Sequence, residues 1–399
     1  MFPRLRFKKF DGDWEKTTIG AKSEIVTSGS RDWAQYYSDS GDKFIRMTNL
    51  VRNGINLDLS DLRFVQLPVG SNEGKRTSLE KGDILISITA ELGKLGWIPE
   101  GLGTAYINQH TALVRMKNTL DSKFVAYALS TEKYNNKLNS LNDSGAKAGL
   151  NLGTIRSFEL TIPSKPEQTQ IASFLSVVDE KISQLTQKLE LLSQYKQGMM
   201  QKLFSQQIRF RADDGSEFGE WEEKELKDIA EINPKSKKLP ESFIYIDLES
   251  VEKGQLLLQK NIELQDAPSR AQRLLAKGDV LFQMVRPYQQ NNYYFNLSGE
   301  YVASTGYAQI RTKLDSKFIY YALHEKTFLD EVMNRCTGTS YPAINSSDLS
   351  SIEILIPCLE EQTKIANVLS AIDQKIEVIS KQIEQAKQWK KGLLQQMFI

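Results

Sequence analysis

Two stretches of the chain carry a long apolar stripe at alternating steps of four and three residues. The first runs through Ile171, Leu175, Val178, Ile182, Leu185, Leu189 and Leu192. The second runs through Ile365, Leu369, Ile372, Ile376, Ile379, Ile383 and Ala386. A 3.5-residue period held this long marks a coiled-coil seam rather than an ordinary surface helix. It predicts helices over 164–204 and 358–399, each about 60 Å long, more than a small domain is wide. A lone amphipathic helix buries its stripe on its own globular unit. Two matched helices of this length need something extended, and each is the nearest candidate to cover the other. Lys196 and Lys390 interrupt the seams at equivalent positions. A charge there fixes register or marks where the pair opens; the alternative is a stem that snorkels to solvent. Ser164-Lys165-Pro166-Glu167 predicts a capping Ser, a reciprocal Glu and an early Pro, whereas Cys358 takes the place of that Ser in the second helix.

The segments 1–163 and 205–357 follow a different pattern. Short β-branched and aromatic runs, such as Phe44-Ile45-Arg46-Met47, Asp83 to Ile88 and Thr111 to Met116, are broken by Gly, Asn and Ser, as strands and turns require. Asp121 to Ser130 and Asp315 to Glu325 predict short helices. Each globular segment is therefore α+β, and the chain divides into 1–163, a helix 164–204, 205–357 and a helix 358–399.

The two halves are copies of one plan. Residues 162–204 and 356–398 align without a gap, with 18 of 43 positions identical. Asp121-Ser122-Lys123-Phe124 returns as Asp315-Ser316-Lys317-Phe318, and Lys81-Gly82-Asp83-Ile84-Leu85 as Lys277-Gly278-Asp279-Val280-Leu281. Phe10-Asp11-Gly12-Asp13-Trp14-Glu15 is echoed by Phe218-Gly219-Glu220-Trp221-Glu222. Residues 24–80 and 231–276 share little. A duplicated frame with divergent inserts suggests one scaffold carrying two different reading surfaces.

Composition narrows the function classes. The 399 residues are 40% hydrophobic and 25% charged, as in a globular protein. No run approaches the roughly 18–20 apolar residues of a membrane helix, and Met1 to Asp13 lacks the apolar core of a secretory signal. Cys336 and Cys358 cannot build a disulfide framework, which points to a reducing cytoplasm. Two histidines leave little room for a histidine-rich metal site. The net charge of +1 hides an asymmetry: residues 1–163 carry +4 and residues 205–357 carry −5. The second segment cannot attract nucleic acid through bulk charge; it needs a local basic patch or a partner that supplies phosphate contacts.

Catalytic motifs do not emerge. Gly70-Ser71-Asn72-Glu73-Gly74-Lys75-Arg76 has its glycines one residue too close for a phosphate loop, and Arg76 replaces the hydroxyl residue that holds magnesium. No nucleophile elbow, metal-ligand cluster or adenine-methyltransferase motif is present. The polar loops are more informative. The first half offers Arg46, Asn49 and Arg52, then Lys75 and Arg76, then Asn108, Gln109 and His110. The second offers Arg270 and Arg273, then Arg286, Tyr288, Gln289, Gln290 and Asn291, then Thr339, Ser340 and Tyr341. Arg, Asn and Gln pair with base edges, while Lys, Ser, Thr and Tyr suit phosphates. The run 289–292 is also ordinary turn chemistry.

The repeated Pro-x-x-x-Glu-Gln-x-x-Ile-Ala-x-x-Leu-x-x-x-Asp-x-Lys-Ile, over Pro163 to Ile182 and Pro357 to Ile376, resembles the specificity subunits of type I restriction-modification enzymes. The Leu-Arg-Phe and Asp-Gly-Asp-Trp-Glu opening and the Lys-Gly-Asp motif extend the likeness over nearly the whole chain. The resemblance implies two target-recognition domains in pseudo-symmetric tandem, separated by two long antiparallel coiled-coil helices. Each domain would read one half of a bipartite double-stranded DNA target. The helices would set the gap and dock two modification (methyltransferase) subunits. Restriction (endonuclease and translocase) subunits complete the family's complexes. It further implies no catalysis and no cofactor on this chain, with S-adenosylmethionine, ATP and magnesium held by partners, in a bacterial or archaeal cytoplasm. The loop before the last strand of each domain would lie near DNA; Gly145 to Gly149, with Lys147, and Gly338 to Pro342 occupy that place. Two other readings predict different behaviour. A coiled-coil adaptor would show no DNA preference in any complex. An enzyme with an unrecognised site would be active alone and lose that activity on one carboxylate substitution.

Overall fold

The computed structural model describes residues 3–141, 149–235 and 238–398. The chain divides into two compact units, Met1–Thr186 with Lys381–Ile399, and Gln187–Ser380. The long helices span Lys165–Phe204 and Leu359–Met397. Each unit thus joins an α+β body to one half of each helix, so compactness does not follow the four consecutive segments read along the chain. No helix among the described residues is long and apolar enough to cross a membrane.

In the first unit, strands Ser23–Ser28, Thr111–Met116, Ile84–Ser87 and Leu95–Trp97 form an antiparallel sheet in that order. A second sheet runs Tyr37–Ser38, Arg63–Val65, Asp42–Ile45 and Ala105–Ile107, with the last pair parallel. The expected strand at 44–47 therefore ends at Ile45, and Met47–Asn49 turns into a 3-10 helix. Glu15–Thr18 pairs with Glu159–Ile162 and closes the body beside the first long helix. The second unit repeats this plan with Ala230–Ile232, Tyr307–Thr312, Val280–Gln283 and Tyr293–Tyr294 in one sheet. Its other sheet runs Lys260–Glu263, Ser242–Ile246, Tyr301–Ser304 and Ala271–Leu274, and Glu222–Glu225 pairs with Glu353–Ile356.

The Lys-Gly-Asp motif has a structural cause. Gly82 and Gly278 take φ of +89° and +95°, which side chains avoid. That turn sends each Asp inward. Asp83 is fully buried; its carboxylate accepts the Glu80 N–H at 2.8 Å and both arms of Arg115 at 2.8 Å. Asp279 accepts the Ala276 N–H at 2.7 Å and Arg311 at 2.7 and 2.8 Å. A buried carboxylate is tolerated when a bidentate cation and further hydrogen bonds satisfy it. The same bonds raise both guanidinium pKa values above their ordinary range.

The apolar stripes have a mixed fate. Ile171, Leu175 and Val178 lie in the core of the first body with Phe124 and Tyr127, joined there by Leu393, Met397 and Phe398 from the end of the second helix. Ile365, Leu369 and Ile372 lie in the second core with Phe318 and Tyr321, joined by Leu203 from the end of the first helix. The opening turns of each stripe are thus not a pure helix-on-helix seam. The aromatic faces of Ser122–Ser130 and Ser316–Ala322 compete for them, and each is shared with the other helix: Phe124 stacks at 5.2 Å from Phe398, and Phe318 at 5.6 Å from Phe204. Ile182 and Ile376 pack partly buried at the margins of these cores. Leu185, Ile379 and Ile383 are buried, while Leu189 and Leu192 are half-buried.

Neither seam lysine reaches freely into solvent. Lys390 sits 2.5 Å from Asp179 and over the Tyr127 ring, and the Tyr127 hydroxyl donates to the same carboxylate at 2.7 Å. Lys196, Asp373 and Tyr321 repeat the arrangement, with the ion pair and the hydroxyl bond both at 2.7 Å. Burial first, and the carboxylate second, push the Tyr127 phenol far above its usual value. Each triad joins the start of one helix, the end of the other and the body, so neither lysine is a stem that snorkels without a partner. The expected reciprocal cap does not form. Glu167 instead takes both arms of Arg6 at 2.7 Å, just as Glu361 takes Arg209.

Candidate nucleic-acid interface

Three backbone segments meet at one sheet edge in each body. In the first, the Ile88 N–H donates to the His110 carbonyl at 3.0 Å, and the Leu150 N–H donates to the Ile88 carbonyl at 3.0 Å. The Gln109 N–H reaches the Ser30 carbonyl at 3.1 Å. The second body repeats each bond: Met284 to Gly306, Ile344 to Met284 and Thr305 to Arg270, at 3.0, 3.1 and 2.9 Å. Gly29 is required at this edge, because a Cβ there would stand 2.1 Å from the Ile107 carbonyl. From the Lys-Gly-Asp motif to Arg115 and Arg311 the two bodies share one gapless register. His110 therefore corresponds to Gly306, Gln109 to Thr305, and Ala90 to Arg286. The frame is common and the side chains on it differ.

The structure gathers some of the candidates on this edge. In the first body, Arg76 donates to the Thr27 hydroxyl and to the Ser28 carbonyl, placing it beside the Asn108 turn. The Asn108 side chain accepts the His110 N–H at 3.1 Å. The His110 ring is hydrogen-bonded at both nitrogens, Nε2 with the Gln109 side chain at 3.0 Å and Nδ1 with the Thr89 hydroxyl at 2.8 Å. Thr89 was not singled out from the sequence; its position just beyond the Lys-Gly-Asp strand is the signal that would have found it. Lys75 is exposed and bonds Asn72 at 2.7 Å. Lys147 lies outside the described residues.

Three candidates of the first half sit elsewhere. Asn49 is a correction: it is buried, its side-chain oxygen accepts the Arg46 N–H at 2.9 Å, and its side-chain amide donates to the Asp58 carbonyl at 2.8 Å. It holds a loop and offers nothing to a ligand. Arg46 pairs with Asp61 at 2.7 Å and leaves its buried Nε without a partner. Arg52 is exposed but lines a cleft of about 940 Å³ with Asn135, Asp179, Glu384 and Lys387, facing the long helices.

In the second body, Arg286 and Tyr341 come together from the segments 284–292 and 337–344. The guanidinium lies 4.2 Å from the ring centroid. Tyr288, Thr339 and Ser340 are exposed beside them in sequence, as is Tyr341. The polar run that follows proves largely to be turn chemistry. Gln283 binds the Gln289 side chain at 2.9 Å and the Asn291 N–H at 3.1 Å; the Asn291 side chain accepts the Lys253 N–H at 3.0 Å. Gln290 donates to the His324 carbonyl. Arg270 is exposed at the edge. Arg273 is half-buried on the strand Ala271–Leu274 with its Nε unpartnered, and burial lowers its pKa.

Taken together, each edge presents hydrogen-bonding side chains on a rigid β-frame, with aromatic and guanidinium planes in the second. Such groups suit base edges and phosphates. Among the described residues no group of three His, Cys, Asp or Glu could hold a metal ion.

The model for the type I restriction modification DNA specificity domain matches twice, over residues 12–194 and 219–388. A putative type I restriction enzyme specificity subunit of Methanocaldococcus jannaschii, MjaX, is 26% identical over 98% of this chain and 94% of its own length. The MjaVIII specificity subunit of the same organism is 28% identical over 60% of each chain. The crystal structure of a type I restriction-modification S subunit from M. genitalium superposes with a TM-score of 0.65 at 17% identity, covering 100% of this chain and 99% of that one. Both repeats match the same model, and the matched residues make up most of the sequence: the chain belongs to the type I restriction-modification DNA specificity family.

Proposed function

We propose that this chain reads a split double-stranded DNA target, one half with each body, and has no catalysis of its own. Modification subunits dock on the long helices and methylate adenine from S-adenosylmethionine; restriction subunits, where present, use ATP and magnesium. The helices hold the two readers at a set separation, which becomes an unspecified gap in the target, much as a dimer sets operator spacing. The complex works in a bacterial or archaeal cytoplasm. The observation that carries this reading is the repeated edge: identical backbone bonds frame different side chains, His110 against Gly306 and Ala90 against Arg286. Splitting the site multiplies discrimination, since each wrong base pair costs roughly 1–3 kcal/mol. Partner subunits that contact phosphates offset the negative charge of the second body.

The test is co-expression with the neighbouring methyltransferase subunit in a methylation-free host, followed by genome-wide mapping of methyladenine. A gapped, two-part motif is expected. Residues inserted into both long helices should change the gap and leave the half-sites as they are. An assembled complex that methylates nothing, or an insertion that rewrites a half-site, would refute the reading.

A further inference from the structure

The sharpest difference between the two edges is at Ala90 and Arg286. Both residues adopt the left-handed conformation, with φ of 56° and 54°. Non-glycine residues there are strained, and strain of this kind persists where the surroundings enforce it. In the second body the enforcement is visible: the Arg286 N–H donates to the Pro342 carbonyl at 2.7 Å, and Val285 bridges Ala343. In the first body Thr89 bridges Gly149 in the same place. The frame therefore needs only the turn. An alanine satisfies it in one body, so the arginine side chain in the other has a purpose beyond the fold.

Its surroundings indicate which. No ion pair among the described residues includes Arg286, although the second body carries an excess of acidic residues. The guanidinium rests instead on the Tyr341 ring at 4.2 Å, and that ring is itself exposed. Packing on a ring face favours a single plane for the guanidinium, and no hydrogen bond among the described residues takes up its side-chain N–H groups. A fixed plane matters for a two-pronged bond to a flat partner, and matters little for a point charge beside a phosphate. The partner with two acceptors in one plane is guanine, through O6 and N7 in the major groove.

We infer that Arg286, packed on the Tyr341 ring, reads a guanine in the half-site of the second body, and that the first body makes no such contact at the equivalent point. This rests on the DNA-reading function proposed above. The experiment is methyladenine mapping with the assembled methyltransferase complex carrying wild-type chain, Arg286→Ala, Arg286→Lys or Tyr341→Phe. Arg286→Ala keeps the turn, because Ala90 already occupies it. The expected wild-type motif contains a G·C pair in one half that Arg286→Ala and Arg286→Lys cease to require. Discrimination at that pair should fall roughly 5- to 150-fold, with the other half-site unchanged. Tyr341→Phe keeps the ring and should keep the motif. A wild-type gapped motif that all variants reproduce would overturn the inference and leave the DNA-reading function standing. So would an equal loss at every sequence, which identifies a phosphate contact. A wild-type complex without any gapped motif removes the DNA reading itself, and the inference with it.

Discussion

Removing the Asp179 carboxylate should cost far more than removing its counterpart in the second unit. Lys390 and Asp179 have side-chain exposures of 13% and 10%, against 23% and 36% for Lys196 and Asp373. Taking one partner from a buried pair strands the other charge and costs about 3–5 kcal/mol. A pair open to water costs about 0–1 kcal/mol. With a urea dependence of about 2–3 kcal/mol per molar for a unit of this size, Asp179→Asn should lower the unfolding midpoint of the first unit by about 1–2 M. Asp373→Asn should move the second by less than about 0.5 M. The assay is urea unfolding of the whole chain followed by circular dichroism and by tryptophan fluorescence, which reports mainly on the first unit because four of the five tryptophans, Trp14, Trp33, Trp97 and Trp389, lie there. A double-mutant cycle with Lys390→Met should return a coupling of about 1–3 kcal/mol. Additive single variants, or equal losses from Asp179→Asn and Asp373→Asn, would refute the reasoning.

Two further outcomes can be measured on the same protein. Phe398→Ala deletes a ring that stacks on Phe124 in the first core; it should cost about 3 kcal/mol and lower only the transition of the first unit in calorimetry. His324 donates from Nδ1 to the Tyr320 carbonyl at 2.7 Å, and burial lowers its pKa to about 4. It is neutral in the fold, while the unfolded chain takes up a proton below about pH 6.5. Stability should therefore fall as pH drops from about 6.5 to 4, by up to about 3 kcal/mol, and level off below. Chemical unfolding across that range should show this slope, and His324→Gln should lack it.

Much of the frame was legible in the chain, because local rules wrote it. Period fixed the two long helices to within a residue or two at their ends, and the repeated Lys-Gly-Asp and Asp-Ser-Lys-Phe signatures marked equivalent turns and helix starts. What covers the stripes was not legible. Ile171 and Leu175 have the same spacing whether they meet a helix or the aromatic face carried by Phe124, and only the fold decides between them. The same applies to Glu167, whose place in the first turn suggested a cap while Arg6 claimed it. At the edge, polarity alone chose Asn49 and Arg286 on equal terms. One is buried and holding backbone, the other is half-buried on an exposed ring. That difference comes from bonds between residues far apart in sequence, such as Arg286 to Pro342.

The interleaving of the helices with the two cores has a consequence for how the protein is made. The first core is finished only by Leu393, Met397 and Phe398, which are synthesised after the whole second body. At about 5–20 residues per second, the stretch from Thr186 to those side chains takes on the order of 10–40 s to emerge. Throughout that interval Ile171, Leu175 and Phe124 lack part of their cover, so the nascent first body carries an unfinished apolar face. Folding of the first body is thus gated by synthesis of the second. A ribosome stalled in the second body leaves that apolar face uncovered, and exposed surface of this kind is what makes unfinished chains prone to aggregate.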